Sequence, residues 1–226
     1  MYKSIKTISL LLLSALTLAG CSNTVDNSNK SASSSSAKVK KNSSSRDNKK
    51  VTAGELLKVG QWHDDPTSGK VTLERIVSPT NAEINYGPMN FKIKNIKLLK
   101  YEPKTNQQKE LISTTFDSAN VTLPSYVIQV TYTLDNSSDS ELQFNGIKSL
   151  VPNYGQQLSM GSGLIDEGVG SAIAAHAHKD EHAQALINSD DVSKLNQLTF
   201  NLDSIANTDT FETVADAPES LTIDFK

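Results

Sequence analysis

The sequence predicts a mostly β protein built as an antiparallel β-sandwich, and three observations support this. Short segments of alternating apolar and polar residues recur through residues 51–226, and residues typical of turns bound them. β-Branched and aromatic residues, which favour strands, concentrate in the same segments. No regular alternation of helical and strand patterns accompanies them, which disfavours a parallel α/β sheet.

The first two predicted strands lie in the N-terminal part of this region. Residues 52–60, which precede them, are expected to form either one helical turn or a short edge strand. The first strand is predicted over residues 70–77, where the alternation skips one position. The second is predicted over residues 90–101, where the alternation slips by one residue at Asn95-Ile96. A slip of one residue is what a β-bulge produces.

Four lysines of the second predicted strand lie largely opposite its apolar residues. Strand alternation alone explains that placement, so we expect the four side chains on a solvated face. A basic binding patch is the alternative. The lysines are Lys92, Lys94, Lys97 and Lys100.

The strongest strand pattern covers residues 125–134, and its β-branched and aromatic content predicts a central position in a sheet. A polar turn is predicted after it, at residues 135–139. Because side chains alternate along a strand, the pattern also assigns the two faces. The predicted core face carries Tyr126, Ile128, Val130, Tyr132 and Leu134, and the predicted wet face carries Val127, Gln129, Thr131 and Thr133.

Three further strands are predicted in the second half of the chain, over residues 141–147, 197–202 and 220–225. The stretch from Tyr154 to Ser193 matches no pattern firmly. Short strands separated by turns are typical of an antiparallel sandwich.

The unit from Tyr126 to Phe144, a strand, an Asn-Ser-Ser turn and a second strand, resembles the immunoglobulin-like domains of Gram-positive surface lipoproteins. These are domains of unknown function grouped with the secreted mycobacterial immunoprotective antigen. The resemblance covers about residues 70–226 and is specific over this unit. It implies an immunoglobulin-like sandwich for residues 51–226 and brings no catalytic residues with it.

Residues 1–20 have the organisation of a signal peptide, with a basic start and an apolar run from Ile8 to Ala19 that is too short to span a membrane. The sequence Leu-Ala-Gly-Cys ending at Cys21 resembles a bacterial lipobox. The resemblance implies cleavage before Cys21 and linkage of its thiol to diacylglycerol. Cys21 is the one cysteine of the chain, so no disulfide framework is possible. The alternative is an ordinary secretory signal with a chance cysteine.

Residues 21–50 are predicted to be the lipidated cysteine and a disordered linker rich in Ser, Asn and Lys, because almost nothing there can be buried. Residues 22–50 hold seven basic and two acidic residues, a net charge of +5, and residues 51–226 hold 13 and 23, a net charge of −10. The acidic domain argues against nucleic-acid binding. The charges favour a domain held away from the anionic membrane surface.

Three of the four histidines lie close together in the sequence, at His176, His178 and His182. On a helix, His178 to His182 would match the H-x-x-E-H pattern of inverzincin peptidases, with Glu181 as general base. In a hairpin, a loop at residues 179–181 would set His178 opposite His182, with His176 on the same face. Such a trio could bind Zn²⁺ or Cu²⁺ or respond to pH. We favour a polar hairpin face that binds no metal, because no supporting shell is evident.

These observations predict a lipid-anchored protein on the extracytoplasmic face of the cell membrane. Its sandwich is expected to act as a non-enzymatic binding or structural module, with no cofactor. A cell-wall polymer, a host molecule or another envelope protein would be the partner. The alternative is a metal-binding or metal-responsive surface protein that uses His176, His178 and His182.

Overall fold

The structure is a computed structural model, and it describes residues 49–119, 121–187 and 189–226. The predicted signal peptide, the predicted lipid site Cys21 and the predicted linker up to residue 48 lie outside the described residues. Among the residues described, no helix is long and apolar enough to cross a membrane.

Strands dominate the described chain. A single α-helix, α1 (Asn106–Thr115), and a 3-10 helix at Ser189–Lys194 interrupt them. In chain order the strands are β1 (Trp62–Asp65), β2 (Gly69–Val77), β3 (Glu83–Tyr86), β4 (Met89–Glu102), β5 (Ser125–Asn136), β6 (Leu142–Phe144), β7 (Ile147–Pro152), β8 (Ser159–Met160), β9 (Gly163–Asp166), β10 (Ser171–Ile173), β11 (His178–Ile187), β12 (Gln197–Leu202), β13 (Ile205–Asn207), β14 (Thr213–Ala215) and β15 (Leu221–Asp224).

The strands form one large sheet and two small ones. The large sheet has the order β1-β2-β4-β5-β11-β9-β8, with β3 paired to β4. The small sheets have the orders β10-β6-β13-β14 and β15-β12-β7. Apart from the short parallel pair β8 and β9, the strand pairs are antiparallel. The predicted class, a mostly β protein with antiparallel sheets in a sandwich, is confirmed.

The main core lies between the inner face of the large sheet and the two small sheets. Phe91 of β4 and Tyr132 of β5 stack with ring centroids 4.8 Å apart, and Phe144 of β6 packs against them at 6.1 and 6.0 Å. Arg75 of β2 donates to the carbonyl of Phe225 at 2.7 Å, near the end of the chain. Aromatic packing and this long-range bond therefore join the layers.

A second apolar cluster covers one end of the large sheet's outer face. Ile112 and Phe116, from α1 and the residue after it, pack there with Val127 of β5. Leu56 contributes from residues 49–61, which we call the N-terminal strap. Val127 is therefore buried although alternation places it on the predicted wet face, because α1 and the strap cover that part of the sheet.

The predicted register of the central strands is confirmed. β5 lies between β4 and β11, and its predicted core face is turned toward the small sheets. The β4–β5 pairing shifts between Ile93 and Asn95, where the alternation slips. The β2–β4 pairing shifts between Leu73 and Arg75, at the position that the pattern skips.

Several predictions for the less regular segments were wrong. Residues 52–60 form neither a helical turn nor a strand. The strand predicted over residues 141–147 is divided into β6 and β7, because Gly146 adopts a positive φ of 102° between them. Lys97 is buried rather than solvated, because the N-terminal strap covers it.

The histidine segment is neither a helix nor a hairpin. β11 runs unbroken from His178 to Ile187 and pairs with β5 along its whole length. The turn comes earlier, at His176, which has a φ of 54°. Pairing with the central strand therefore outweighs the helical preference of the alanine-rich sequence.

Candidate functional site

The outer face of the large sheet carries a row of polar side chains next to the second apolar cluster. Lys97 of β4 pairs in register with Gln129 of β5, which pairs with Gln184 of β11. One step along the strands, Thr131 lies opposite His182. Since neighbouring strands are about 4.8 Å apart, the polar groups follow one another across the sheet at that interval.

These residues line a groove, which we call the outer groove. It has a volume of about 250 Å³. Its lining consists of Glu55, Lys97, Gln129, Thr131, Glu167, His182 and Gln184. A second concavity of about 210 Å³ shares Glu55, Lys97 and Gln129 with it and extends toward His63. The groove is therefore bounded by the N-terminal strap and by the end of β9.

Lys97 is the buried charge of the outer groove. Its side chain is 4% exposed, and its Nζ donates to Oε2 of Glu55 at 2.9 Å. The Glu55 side chain is 69% exposed. The hydrogen bond and the charge of Lys97 lower the pKa of Glu55. A buried ammonium needs such a counter-ion, so this contact fixes the strap on the sheet.

Gln129 and Gln184 are half-buried, and their amide groups make no hydrogen bond to any other residue that the structure describes. Each amide offers two donors and one acceptor oxygen. The two side chains come from directly paired positions and line the same groove. They are therefore the groups of the groove most available to a ligand.

The groove has polar side chains along its other borders. Oγ1 of Thr131 lies 3.3 Å from Nδ1 of His182. Beyond them, Nζ of Lys94 donates to both carboxylate oxygens of Asp180 at 2.7 Å, and Oγ1 of Thr133 donates to Asp180 at 2.7 Å. Lys94, Thr133 and Asp180 therefore pair with one another beyond the groove.

The structure does not bring the three predicted histidines together. His176 lies in the turn, where its Nε2 is 2.8 Å from Oδ1 of Asp139. His178 begins β11 and is exposed, whereas His182 lines the outer groove. Four residues of strand separate His178 and His182 by roughly 13 Å, whereas two metal ligands must both lie about 2 Å from one ion. Among the described residues no group of three or more His, Cys, Asp and Glu could hold a metal ion.

Glu181 faces away from the groove, so the H-x-x-E-H pattern does not form a peptidase site. The Glu181 carboxylate accepts a hydrogen bond from Oγ of Ser171 at 2.6 Å and pairs with Lys179 at 2.8 Å. Lys179 also donates to Oγ of Ser171 at 3.0 Å. Ser171, Lys179 and Glu181 therefore form one local hydrogen-bonded group on the side of β11 away from the groove.

A second buried polar cluster surrounds Asp166 and has a structural role. Its carboxylate accepts from Oη of Tyr132 at 2.5 Å, from the backbone N–H of Ile147 at 2.6 Å and from that of Gly168 at 3.0 Å. A β-carbon at Gly168 would collide with the Tyr132 hydroxyl, so glycine permits the approach. Burial raises the pKa of Asp166 although the three donors favour its charged form. All of these groups have partners, so the cluster offers nothing to a ligand.

Sequence reasoning missed the outer groove. Alternation placed Gln129 and Thr131 on the outer face correctly, but it also predicted that this face was simply wet. The strand β11, which pairs with β5 and carries Gln184, was not predicted. The sequence therefore did not indicate that Gln184 lies beside Gln129. No pattern indicated that Glu55 would pair with Lys97 across 42 residues.

Comparisons with known proteins do not place the chain in a family. No protein-family model and no curated protein matches it. Among solved structures, it is similar to a functionally unknown protein from Listeria monocytogenes EGD-e, at 11% sequence identity and a TM-score of 0.46. The similarity covers 70% of this chain and 88% of that protein.

Proposed function

We propose that the protein is a lipid-anchored, non-enzymatic binding module on the extracytoplasmic face of the cell membrane, and that it binds its partner in the outer groove. The observation that carries the binding role is the pair of amides of Gln129 and Gln184, which have no hydrogen-bond partner among the residues that the structure describes and lie beside the buried ammonium of Lys97. Amides that face an open groove without a protein partner can exchange their hydrogen bonds with water for hydrogen bonds with a ligand.

Two sequence features support the location. The residues before Cys21 resemble a lipobox, and the unit from Tyr126 to Phe144 resembles the immunoglobulin-like domains of surface lipoproteins. An anchor of this kind would place the module where a cell-wall polymer or an envelope or host protein is the available partner.

Retention on envelope fragments tests the binding role. Residues 21–226 with Cys21→Ser, which carry neither a lipid nor the apolar run from Ile8 to Ala19, are mixed with washed fragments and sedimented. We expect the double variant Gln129→Ala/Gln184→Ala to remain in the supernatant. Gln197→Ala is the matched control, because Gln197 is an exposed glutamine of β12 in a small sheet. Equal sedimentation of the double variant and the control would contradict the proposal.

A further inference from the structure

The buried ammonium of Lys97 depends on a carboxylate from outside the sheet. Glu55 supplies it, and Glu55 belongs to a part of the strap that has neither helix nor strand. The carboxylate is the one hydrogen-bond acceptor that Nζ of Lys97 contacts among the described residues. A segment of the chain thus occupies the groove with a negatively charged group.

The remaining groups around Lys97 favour a ligand with a single negative charge. The Gln129 and Gln184 amides can donate hydrogen bonds toward the groove, and the Thr131 hydroxyl and the His182 ring, 3.3 Å apart, lie beside them. Without Glu55, these donors and the Lys97 ammonium would face one carboxylate, that of Glu167, on the far border. Glu167 and the net charge of −10 over residues 51–226 would repel a ligand that carries several negative charges.

The order of the groups across the sheet indicates which molecule would carry that charge. From Lys97, the next position is the amide of Gln129 and the one after it the amide of Gln184. Amide side chains offer both donors and acceptors, so they complement the N–H and C=O groups of a peptide. A peptide with its terminal carboxylate on Lys97 would direct its last peptide groups toward these two glutamines.

We propose that the outer groove recognises the free C-terminal carboxylate of a short peptide, and that Glu55 occupies the carboxylate position in the free protein. This inference rests on the proposed binding function of the same groove. It adds the ligand class and a built-in competitor.

Displacement of Glu55 is energetically accessible. Its side chain is already largely in water, so releasing it from Lys97 requires little new hydration. The strap keeps other attachments, because the N–H of Val51 donates to the Trp62 carbonyl at 2.8 Å and Leu56 is buried in the second apolar cluster. The Glu55 side chain can therefore leave the groove while the strap stays on the sheet. Because Lys97 is buried, its ammonium would exchange one carboxylate for another rather than be left unpaired, so Glu55 acts as a competitor for that single position.

Calorimetric titration of the purified full chain in detergent tests the proposal. The probes are N-acetyl-Ala-Ala with a free carboxylate, the same peptide with a C-terminal amide, and acetate. We expect the free acid to bind, the amide and acetate to bind more weakly, and Glu55→Gln to lower the Kd of the acid by roughly threefold or more. Glu83→Gln is the matched control, because Glu83 pairs with Lys92 at 3.5 Å outside the groove and should leave the Kd unchanged.

Three results would overturn the proposal: equal binding of the acid and the amide, a Kd that Glu55→Gln leaves unchanged, or acetate binding as tightly as the peptide acid. Lys97→Met should abolish binding of the acid, provided that its thermal melt is cooperative. If this variant does not fold, the comparison of acid with amide and the Glu55→Gln result still decide. If these titrations fail while retention on envelope fragments still depends on Gln129 and Gln184, the ligand class is refuted. The proposed binding function then still stands.

Discussion

Asp166 is the buried residue on which the junction of β7 and β9 depends. It holds three buried donors, those of Tyr132, Ile147 and Gly168. Removing an acceptor from a buried donor costs about 1–3 kcal/mol for each group left unpaired. We expect Asp166→Ala to lower the free energy of unfolding by several kcal/mol and Asp166→Asn, which keeps one acceptor oxygen, to lower it less. Urea denaturation measures both, and equal losses would show that the hydrogen bonds contribute little.

Glu55 should make the attachment of the strap depend on pH. Lys97 lowers the pKa of Glu55 below its ordinary value of 4.5, so the ion pair stabilises the protein above that value. The stabilisation is lost as the pH falls through the lowered pKa and the carboxylate becomes protonated. We expect the melting temperature of Glu55→Gln to lie below that of the wild type at about pH 7 and to match it at about pH 2. A difference that persists unchanged at the lower pH would contradict this account.

Cys21 carries the predicted membrane attachment, and its substitution tests that prediction separately from the groove. Because no other residue of the chain has a thiol, Cys21→Ser should abolish retention by the lipid and leave the precursor uncleaved. Membrane fractionation with an immunoblot measures both the location and the size of the product. Recovery of the variant in the membrane fraction at mature size would show that the attachment has another cause.

At the scale of elements, the strand pattern predicts β5 closely because its own residues alternate between the main core and the outer face. Val130 is 1% exposed and lies in the main core, whereas the next residue, Thr131, lines the outer groove. Val130→Asp would bury an unpaired carboxylate and should cost several kcal/mol, enough to unfold a typical domain. Thr131→Asp places its carboxylate beside His182 in the groove and should change the stability by about 1 kcal/mol or less.

Thermal melts of these two variants compare the two faces of one strand. If both lose stability equally, the groove side of β5 is as closely covered as the core side. A greater loss in Thr131→Asp would mean that the strand register is displaced by one residue.

Other elements carried weaker patterns or none. Thr105 caps α1 by accepting from the N–H of Gln108 at 3.2 Å, and this Thr-x-x-Gln spacing is a helix-start pattern in the sequence. This Thr-x-x-Gln spacing therefore makes the start of α1 predictable from the sequence. The single strand β11 could not be found in this way, because its first half is charged and its second half alanine-rich. Its conformation comes from pairing with β5, which is a non-local interaction.

At the scale of the whole molecule, the sandwich class followed from the sequence, but the covering of the outer face did not. A wet sheet face and a groove have the same alternating pattern in a single strand. They differ only in what lies above the sheet, and here that is the N-terminal strap and α1. The candidate site is therefore a product of long-range packing, and only its outward-facing members, such as Gln129, were predictable.

The strap also changes where the folded part of the chain begins. The predicted boundary lies between residues 50 and 51, yet the N–H of Trp62 donates to the Lys49 carbonyl at 2.9 Å. Nζ of Lys50 pairs with Asp64 at 2.9 Å and lies 4.9 Å from the centre of the Trp62 ring. Lys49 and Lys50 therefore belong to the attachment of the strap to β1 rather than to the linker.

Two deletions measure this boundary. Deleting residues 22–48 should leave the melting temperature unchanged, since the sequence predicts that this segment buries almost nothing. Deleting residues 22–50 removes the exposed Lys50 ion pair and a backbone hydrogen bond, the latter worth about 0.5–1.5 kcal/mol, and should lower the melting temperature by about 1–6 °C. Lys50→Ala removes the side-chain contacts alone and should give an intermediate value. Equal melting temperatures for the two deletions would place the boundary at residue 51. A melting temperature below that of the wild type for the deletion of residues 22–48 would mean that the linker packs on the domain.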